Sequence, residues 1–201
     1  MPYVLTVDQI SSRTGPDLVE QRLRRLSVDT VLGFARTVGD EFQGVLEQPL
    51  SVVRAILELM RDGGWHIGLG IGPVETPLPA EPRQARGPAF LLARNAVEAA
   101  KREPDHVRVL AGPAAEQEAA DAEVVLRLVA TVRDRRSEQG WQAVDEMRGG
   151  ATMQQAADRL GITRQAVGQR LRAANWAVER DTPPVLARLL ERAEQASEKE
   201  S

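Results

Sequence analysis

Three acidic residues in the first part of the chain have the types and spacing needed to bind a divalent cation. Asp8 ends a short apolar run, and Asp40 and Glu41 follow Gly39 between two β-like runs. If the strand that ends at Asp8 lies beside a hairpin at Gly39, the carboxylates meet at one sheet edge. Mg²⁺ bound to nucleotide phosphates takes such oxygen ligands. The alternative is that Asp8 caps a loop and Asp40 only occupies a turn, where Asp is common.

A second chemical group is a set of long hydrogen-bond donors near the C-terminus. Met153–Arg172 has the spacing of a helix-turn-helix, with the small Ala157 inside and Gly161 at the reversal. The polar side of the second helix would present donors to phosphates and to base edges in a major groove. The predicted DNA-binding residues are Thr163, which is also the predicted N-cap, Arg164, Gln165, Gln169, Arg170 and Arg172. The alternative is an αα-hairpin that serves packing alone.

The charge distribution favours double-stranded DNA as the partner of this segment. Six arginines and four acidic residues lie between Trp141 and Arg180, so the segment carries net positive charge. The whole chain carries a formal net charge of −3. We therefore expect any electrostatic footprint on DNA to be confined to this end.

Polar residues around two other loops are candidates for binding an anionic ligand. Hydroxyl and guanidinium groups donate hydrogen bonds to phosphate oxygens, although such residues on loops are often only solvated. The ligand-binding candidates are Ser11, Ser12, Arg13, Arg83, Arg86 and Arg94. His66, beside Trp65 in an apolar run, is interpreted as structural. No catalytic residue is predicted.

The elements that position these residues follow from the hydrophobic pattern. Tyr3–Val7 is predicted as a buried strand and Leu50–Met60 as an apolar helix. Trp65–Val74 is predicted as a strand whose glycines leave one face open to a close neighbour. The order strand, helix, hairpin, helix, strand, helix, strand predicts an α+β sandwich with an antiparallel-dominated sheet.

The second half of the chain is predicted to be helical. Pro113–Arg136 would form a long connecting helix and offer a dimer contact, and Pro183-Pro184 would start a final helix. The predicted domains are an α+β domain at 1–112, a connector at 113–138, and a helix-turn-helix domain with a C-terminal helix at 139–201.

Four blocks of sequence resemble a known protein family. They are Val7–Arg13, Thr37–Gly44, Gly68–Gly72 and Gly87–Arg94. Their order and spacing are similar to those of the SatD family, bacterial proteins in which a cyclase-like domain precedes a helix-turn-helix. Within the second block, the run Gly-Asp-Glu-Phe resembles the GGDEF signature of diguanylate cyclases and the metal-binding hairpin of class III nucleotidyl cyclases.

The resemblance implies a nucleotidyl-cyclase-like, ferredoxin-like sandwich followed by a small all-α domain. It also implies Mg²⁺ ligands at Asp8, Asp40 and Glu41. Two positions depart from the related patterns. Leu91 stands near the position where class III cyclases carry an Asn, and Arg86 stands where a SatD-like pattern has an acid. The first departure argues against cyclisation, and the second favours contact with an anionic ligand.

Composition excludes several classes of site. The chain of 201 residues has no Cys, so disulfides, thiolate metal sites and a Cys nucleophile are excluded. With only His66 and His106, a three-histidine zinc site is excluded as well. No apolar run reaches membrane-spanning length and the N-terminus lacks the pattern of a signal peptide, so we expect a cytoplasmic protein without a membrane partner.

These observations leave three functions open. The favoured hypothesis is a homodimeric, DNA-binding transcriptional regulator whose cyclase-like domain senses a nucleotide or cyclic nucleotide without turnover. Mg²⁺ is a candidate cofactor but none is required. The second hypothesis is a Mg²⁺-dependent nucleotidyl-transfer or phosphoester enzyme that is tethered to DNA. The third is a cyclase-like domain that serves only as a dimerisation scaffold.

Overall fold

The computed structural model describes residues 2–11 and 14–199, so the predicted ligand-binding residues Ser12 and Arg13 lie outside the described residues. The chain forms two compact units. The first comprises Met1–Arg127 and Pro183–Ser201, and the second comprises Leu128–Thr182. The division cuts the predicted C-terminal domain, because the end of the last helix groups with the first unit.

Within the described residues, the first unit contains a five-stranded sheet, three α-helices of its own and a short 3₁₀ segment at Pro82–Gln84. The strands are β1 Tyr3–Gln9, β2 Leu32–Arg36, β3 Glu41–Leu46, β4 Trp65–Ile71 and β5 Val107–Ala111. The helices are α1 Val19–Arg25, α2 Pro49–Asp62 and α3 Pro88–Ala100. The elements β1, α2 and β4 lie where the hydrophobic pattern predicts them, with ends that differ by at most three residues.

The sheet has the strand order β2-β3-β1-β4-β5. The central strand β1 is antiparallel to both of its neighbours, and only β4 and β5 pair in parallel. The βαββαβ order with this pairing is the ferredoxin-like arrangement, extended here by α3 and β5. The predicted α+β class and the antiparallel-dominated sheet are therefore confirmed.

Helix α3 packs directly on the glycine positions of β4. A Cβ atom built on Gly68 would lie 2.2 Å from the backbone N of Val97, and one on Gly70 would lie 2.2 Å from the carbonyl O of Ala89. Small buried residues of α3, including Ala93, complete the contact. The glycine face that the sequence predicts to admit a close neighbour is thus filled by a helix of the same unit.

The opposite face of the sheet carries the larger apolar side chains. Those that are fully buried include Leu5, Phe42, Ile67 and Leu69. Helix α2 covers this face with buried residues such as Ile56. Because strand side chains alternate between faces, Asp8 and its cross-strand partner lie instead on the α3 side.

After β5, the described part of the chain forms five α-helices, preceded by a short 3₁₀ segment at Pro113–Ala115. They are α4 Glu116–Asp134, α5 Glu138–Arg148, α6 Met153–Leu160, α7 Arg164–Ala173 and α8 Trp176–Glu198. The unit boundaries fall inside the first and the last of these helices, so α4 and α8 each belong in part to both units. The hydroxyl of Tyr3 on β1 donates a hydrogen bond to Oε2 of Glu194, near the C-terminal end of α8, at 2.9 Å. This bond attaches α8 to β1 within the first unit.

The predicted start of the final helix is wrong. α8 begins at Trp176, so Pro183 and Pro184 lie inside it. Proline in a helix interior removes a backbone donor and costs about 3 kcal/mol. The helix continues because residues on both sides of the prolines, Glu179 and Leu186, are buried.

The sequence predicts no membrane-spanning segment, and the length and hydropathy of the helices test this prediction. Within residues 2–11 and 14–199, no helix is both long enough and apolar enough to cross a bilayer.

Candidate functional site

The acidic residues Asp8 and Glu41 are brought together at one end of the sheet. Asp8 pairs with Glu41 on β3 and with His66 on β4. Only 15% of the Asp8 side chain is exposed. Asp40 is close enough to raise the pKa of Asp8. The convergence that the sequence predicts therefore follows from the antiparallel pairing of β1 with the hairpin.

A lysine supplies the positive charge at this carboxylate. Lys101, which directly follows α3, places its Nζ atom 3.3 Å from Asp8 Oδ2 and 2.8 Å from Glu98 Oε1. Burial raises the pKa of Asp8 above its ordinary value, the charge of Lys101 opposes this effect, and Asp40 and Glu41 add to it. Burial alone would lower the pKa of Lys101, but its bonds to Glu98 and Asp8 raise it.

The hairpin itself is closed by local hydrogen bonds. Gly39 adopts a left-handed conformation with φ of 60°, which glycine takes without steric cost. Arg36 donates to the carbonyl of Gly39 at 2.6 Å. The hydroxyl of Thr37 donates to Glu41 Oε1 at 2.6 Å, so one oxygen of this carboxylate is already engaged.

Two histidines adjoin the acidic residues. The rings of His66 and His106 meet edge to face with centroids 4.9 Å apart. Burial lowers the pKa of His66, and the nearby His106 and Lys101 act in the same direction. Sequence reasoning missed Lys101 and His106 because both lie in the α3–β5 connection, whose position depends on how α3 packs.

The residues present do not form an evident metal site. In the part of the chain that the structure describes, no group of three or more His, Cys, Asp or Glu side chains could hold a metal ion. The best-placed carboxylate, Asp8, has an ammonium group as its partner. Mg²⁺ binding at Asp8, Asp40 and Glu41 thus remains a prediction, and the ion pair is an observation against it.

The ligand-binding candidates do not form one group. Ser11 follows β1 at the Asp8 end, with a left-handed φ of 59°. Arg86 adjoins the start of α3, whereas Lys101 and Asp8 lie at its other end, about 20 Å away at 1.5 Å per residue. Arg83 is exposed and pairs with Glu81 at 2.6 Å. Arg94 is exposed midway along α3.

The helix-turn-helix is present as the sequence predicts, in the second unit. Gly161 ends α6 with φ of 65° and ψ of 32°, the left-handed conformation expected at a helix C-terminus. The hydroxyl of Thr163 caps α7 by accepting from the backbone N–H of Ala166 at 3.1 Å. Thr152 and Gln155 form a reciprocal capping box at the start of α6. Both helices therefore have defined beginnings.

A small core holds the two helices together and includes a third. Ala156, Ala157 and Val167 are buried, and Ile162 and Leu171 pack against them. Helix α5 packs against both α6 and α7. The result is the three-helix form of the helix-turn-helix, in which the last helix is free to present its outer face.

The outer face of α7 carries most of the predicted DNA-binding residues. Arg164, Gln165, Gln169 and Arg172 are exposed. Arg170 differs, because it is partly buried and donates to Gln142 Oε1 on α5 at 3.4 Å. Thr163 is exposed, but its hydroxyl serves as the cap.

A buried ionic cluster lies beside these helices and was not predicted. Glu179 is 3% exposed and binds Arg136 through Oε2 and Arg148 through Oε1, the latter at 2.7 Å. Arg133 Nε lies 3.6 Å from the same carboxylate. The guanidinium of Arg136 also stacks over Trp141, 4.2 Å from the ring centroid. The cluster joins α4, α5 and α8 within the second unit.

Comparison with known proteins adds little to this geometry. No known family model matches the chain, and no curated protein does. The chain is similar to a solved structure described as a regulator of polyketide synthase expression from Bifidobacterium adolescentis. The match has 12% identity and a TM-score of 0.27, and covers 100% of this chain and 81% of the other. A likeness this weak carries no argument, and the SatD resemblance stays a prediction.

Proposed function

We propose that the chain is a DNA-binding transcriptional regulator in which α7 reads the major groove. The observation that carries the proposal is the capped helix-turn-helix with exposed donors on α7. Arginine donates to guanine edges and to phosphates, and glutamine makes paired hydrogen bonds with adenine. The donors Gln165, Gln169 and Arg172 recur at four and three residues, so they share one side of the helix.

The partner is double-stranded DNA, bound by a homodimer. A single small motif rarely binds its site tightly, and two-fold symmetric regulators place two recognition helices on successive turns of the duplex. Val124 and Leu128 of α4 are exposed apolar side chains, 56% and 62% exposed, and a second copy would cover them. Sedimentation at micromolar protein concentration tests this point.

The ferredoxin-like unit is proposed to bind a nucleotide or cyclic nucleotide at the Asp8 end of the sheet, without turnover. Asp8 is partly buried and the charge of Asp40 acts on it, whereas packing alone gives no reason for acids at both Asp8 and Asp40. The ligand would alter DNA affinity only if it binds two conformations of the protein with unequal affinity, and if those conformations also differ in their affinity for DNA.

The DNA proposal is tested by selecting a site from random duplexes with the full-length chain, then measuring affinity by fluorescence anisotropy. We expect Arg172→Ala and Arg164→Ala each to weaken binding by about 1–3 kcal/mol if they contact bases. Arg170→Ala should have a smaller effect, because Arg170 is partly engaged by Gln142. The matched control is Arg188→Ala, an exposed arginine of α8.

Unchanged affinity in both the Arg164 and Arg172 variants would show that α7 is not the recognition helix. If a variant binds DNA more weakly and the slope of log K against log salt concentration falls by about one, the lost arginine contacts a phosphate rather than a base.

The ligand proposal is tested by isothermal titration of the full-length protein with nucleotides and cyclic dinucleotides, followed by analysis of the mixture for new products. Saturable binding of an unchanged ligand, lost in Asp8→Ala with Asp40→Ala while DNA affinity is kept, supports a sensor. A new product would establish an enzyme instead. Absence of any binding would leave the unit as a dimerisation scaffold.

A further inference from the structure

The positive charge beside Asp8, at the acidic end of the sheet, is the side chain of Lys101. Lys101 Nζ contacts carboxylates from two elements, Asp8 at the end of β1 and Glu98 in the last turns of α3. We propose that Lys101 is the permanent counter-ion of Asp8 and keeps Mg²⁺ away from this carboxylate. The inference concerns the ion alone, so it does not depend on the proposed DNA or nucleotide binding.

Geometry and charge both oppose a metal ion here. Mg²⁺ requires near-octahedral oxygen ligands at about 2.1 Å and gives up its water reluctantly. To reach Asp8 it would have to displace an ammonium group already 3.3 Å away, or bind beside that positive charge. The neighbouring carboxylate of Glu41 is held by the hydroxyl of Thr37 at 2.6 Å. One oxygen of Glu41 is therefore engaged, and an ion at this end of the sheet would depend on Asp8 and Asp40, beside the charge of Lys101.

The choice of lysine is itself unusual in this chain. Of 26 basic residues, Lys101 and Lys199 are the only lysines. The ammonium group is a compact charge with three donors that can be divided between separate carboxylates, whereas guanidinium favours paired contact with one. At Lys101 those donors serve Asp8 and Glu98, which lie on different elements.

The test is a calorimetric titration of the full-length protein with MgCl₂ alone, and thermal unfolding with and without MgCl₂ provides a second readout. We expect no saturable binding by the wild type, and none by Lys101→Arg, which keeps a cation at the site. Lys101→Met should show saturable Mg²⁺ binding, at least about tenfold tighter than the detection limit that bounds the wild type, because it leaves clustered carboxylates without their counter-ion. Adding Asp8→Asn to Lys101→Met should abolish the gain.

The matched control is Lys199→Met, which removes the same charge from the chain, whereas the cation that acts on Asp8 is Lys101. It should bind no more Mg²⁺ than the wild type. The proposal is overturned if the wild type binds Mg²⁺ and Asp8→Asn removes that binding, a comparison that holds even if Lys101→Met fails to fold. It is equally overturned if a folded Lys101→Met gains no affinity. Neither result would bear on DNA binding, and nucleotide binding is measured separately by its own titration.

Discussion

Replacing the buried carboxylate of Glu179 should destabilise the second unit. Glu179→Gln keeps the shape of the side chain but removes the negative charge that Arg136 and Arg148 share. The new amide N–H₂ group would also point donors at guanidinium donors. Arg136 would retain the carbonyl of Ala174 as an acceptor at 2.8 Å.

The size of the loss in unfolding free energy depends on which arginine partners of Glu179 are buried. The side chain of Arg136 is 0% exposed, so its charge would stay desolvated once the carboxylate of Glu179 is lost. Removing one partner of a buried ion pair costs about 3–5 kcal/mol. Arg148 is 33% exposed and adds little, because solvent screens it. Domains unfold with about 5–15 kcal/mol in total, so the expected loss is a large share.

Urea unfolding followed by tryptophan fluorescence measures this loss. Trp141 and Trp176 both lie in the second unit, and Trp141 stacks under the arginines of the cluster. We expect the midpoint to fall by about 1–2 M urea. The control is Glu191→Gln, an exposed residue of the same helix, which should change stability by less than about 0.5 kcal/mol. A loss below about 1 kcal/mol in Glu179→Gln would refute the assignment of a desolvated ionic cluster.

Two further predictions concern the first unit. Gly68→Ala should cost about 3 kcal/mol in urea unfolding, because its Cβ would meet the Val97 backbone at 2.2 Å, whereas Gly33→Ala, with no atom within 4 Å of its Cβ, should be nearly neutral. Equal stability of the two alanine variants would contradict the close packing of α3. The pKa of His66 is lowered below its ordinary value of 6.5, so the unfolded chain binds more protons and stability should fall as pH drops below that value. Stability measured at about pH 7.5 and 5.5 should therefore differ less in His66→Gln than in the wild type, and an unchanged difference would show that another group is responsible.

Much of the fold could be predicted because its signals are local. The apolar run Tyr3–Val7 predicts a buried strand, and β1 is the central strand of the sheet. Gly161 and Thr163 mark the end of one helix and the start of the next through backbone conformation and capping, which neighbouring residues decide. The same local rule failed at Pro183, where burial on both sides of the proline outweighs its preference for a helix start.

The candidate site could be predicted only as far as strand register reaches. An antiparallel hairpin beside β1 places Glu41 opposite Asp8, and that pairing follows from spacing. Spacing alone does not place Arg86 relative to Asp8, and the structure puts them at opposite ends of α3, which a helix of this length keeps apart. The partners of Glu179 lie 31 to 46 residues earlier in sequence, a separation at which no local pattern operates.

The glycines of β4 and the cation at Asp8 have a common physical basis. Gly68 and Gly70 leave no room for side chains, so α3 lies against the backbone of the strand. That close approach brings Lys101, the residue after α3, within 3.3 Å of Asp8 on the adjoining strand. A β-carbon at Gly68 would push the helix outward and lengthen this ion pair. The pattern that is read in sequence as an open face therefore also determines which ion neutralises the acidic site.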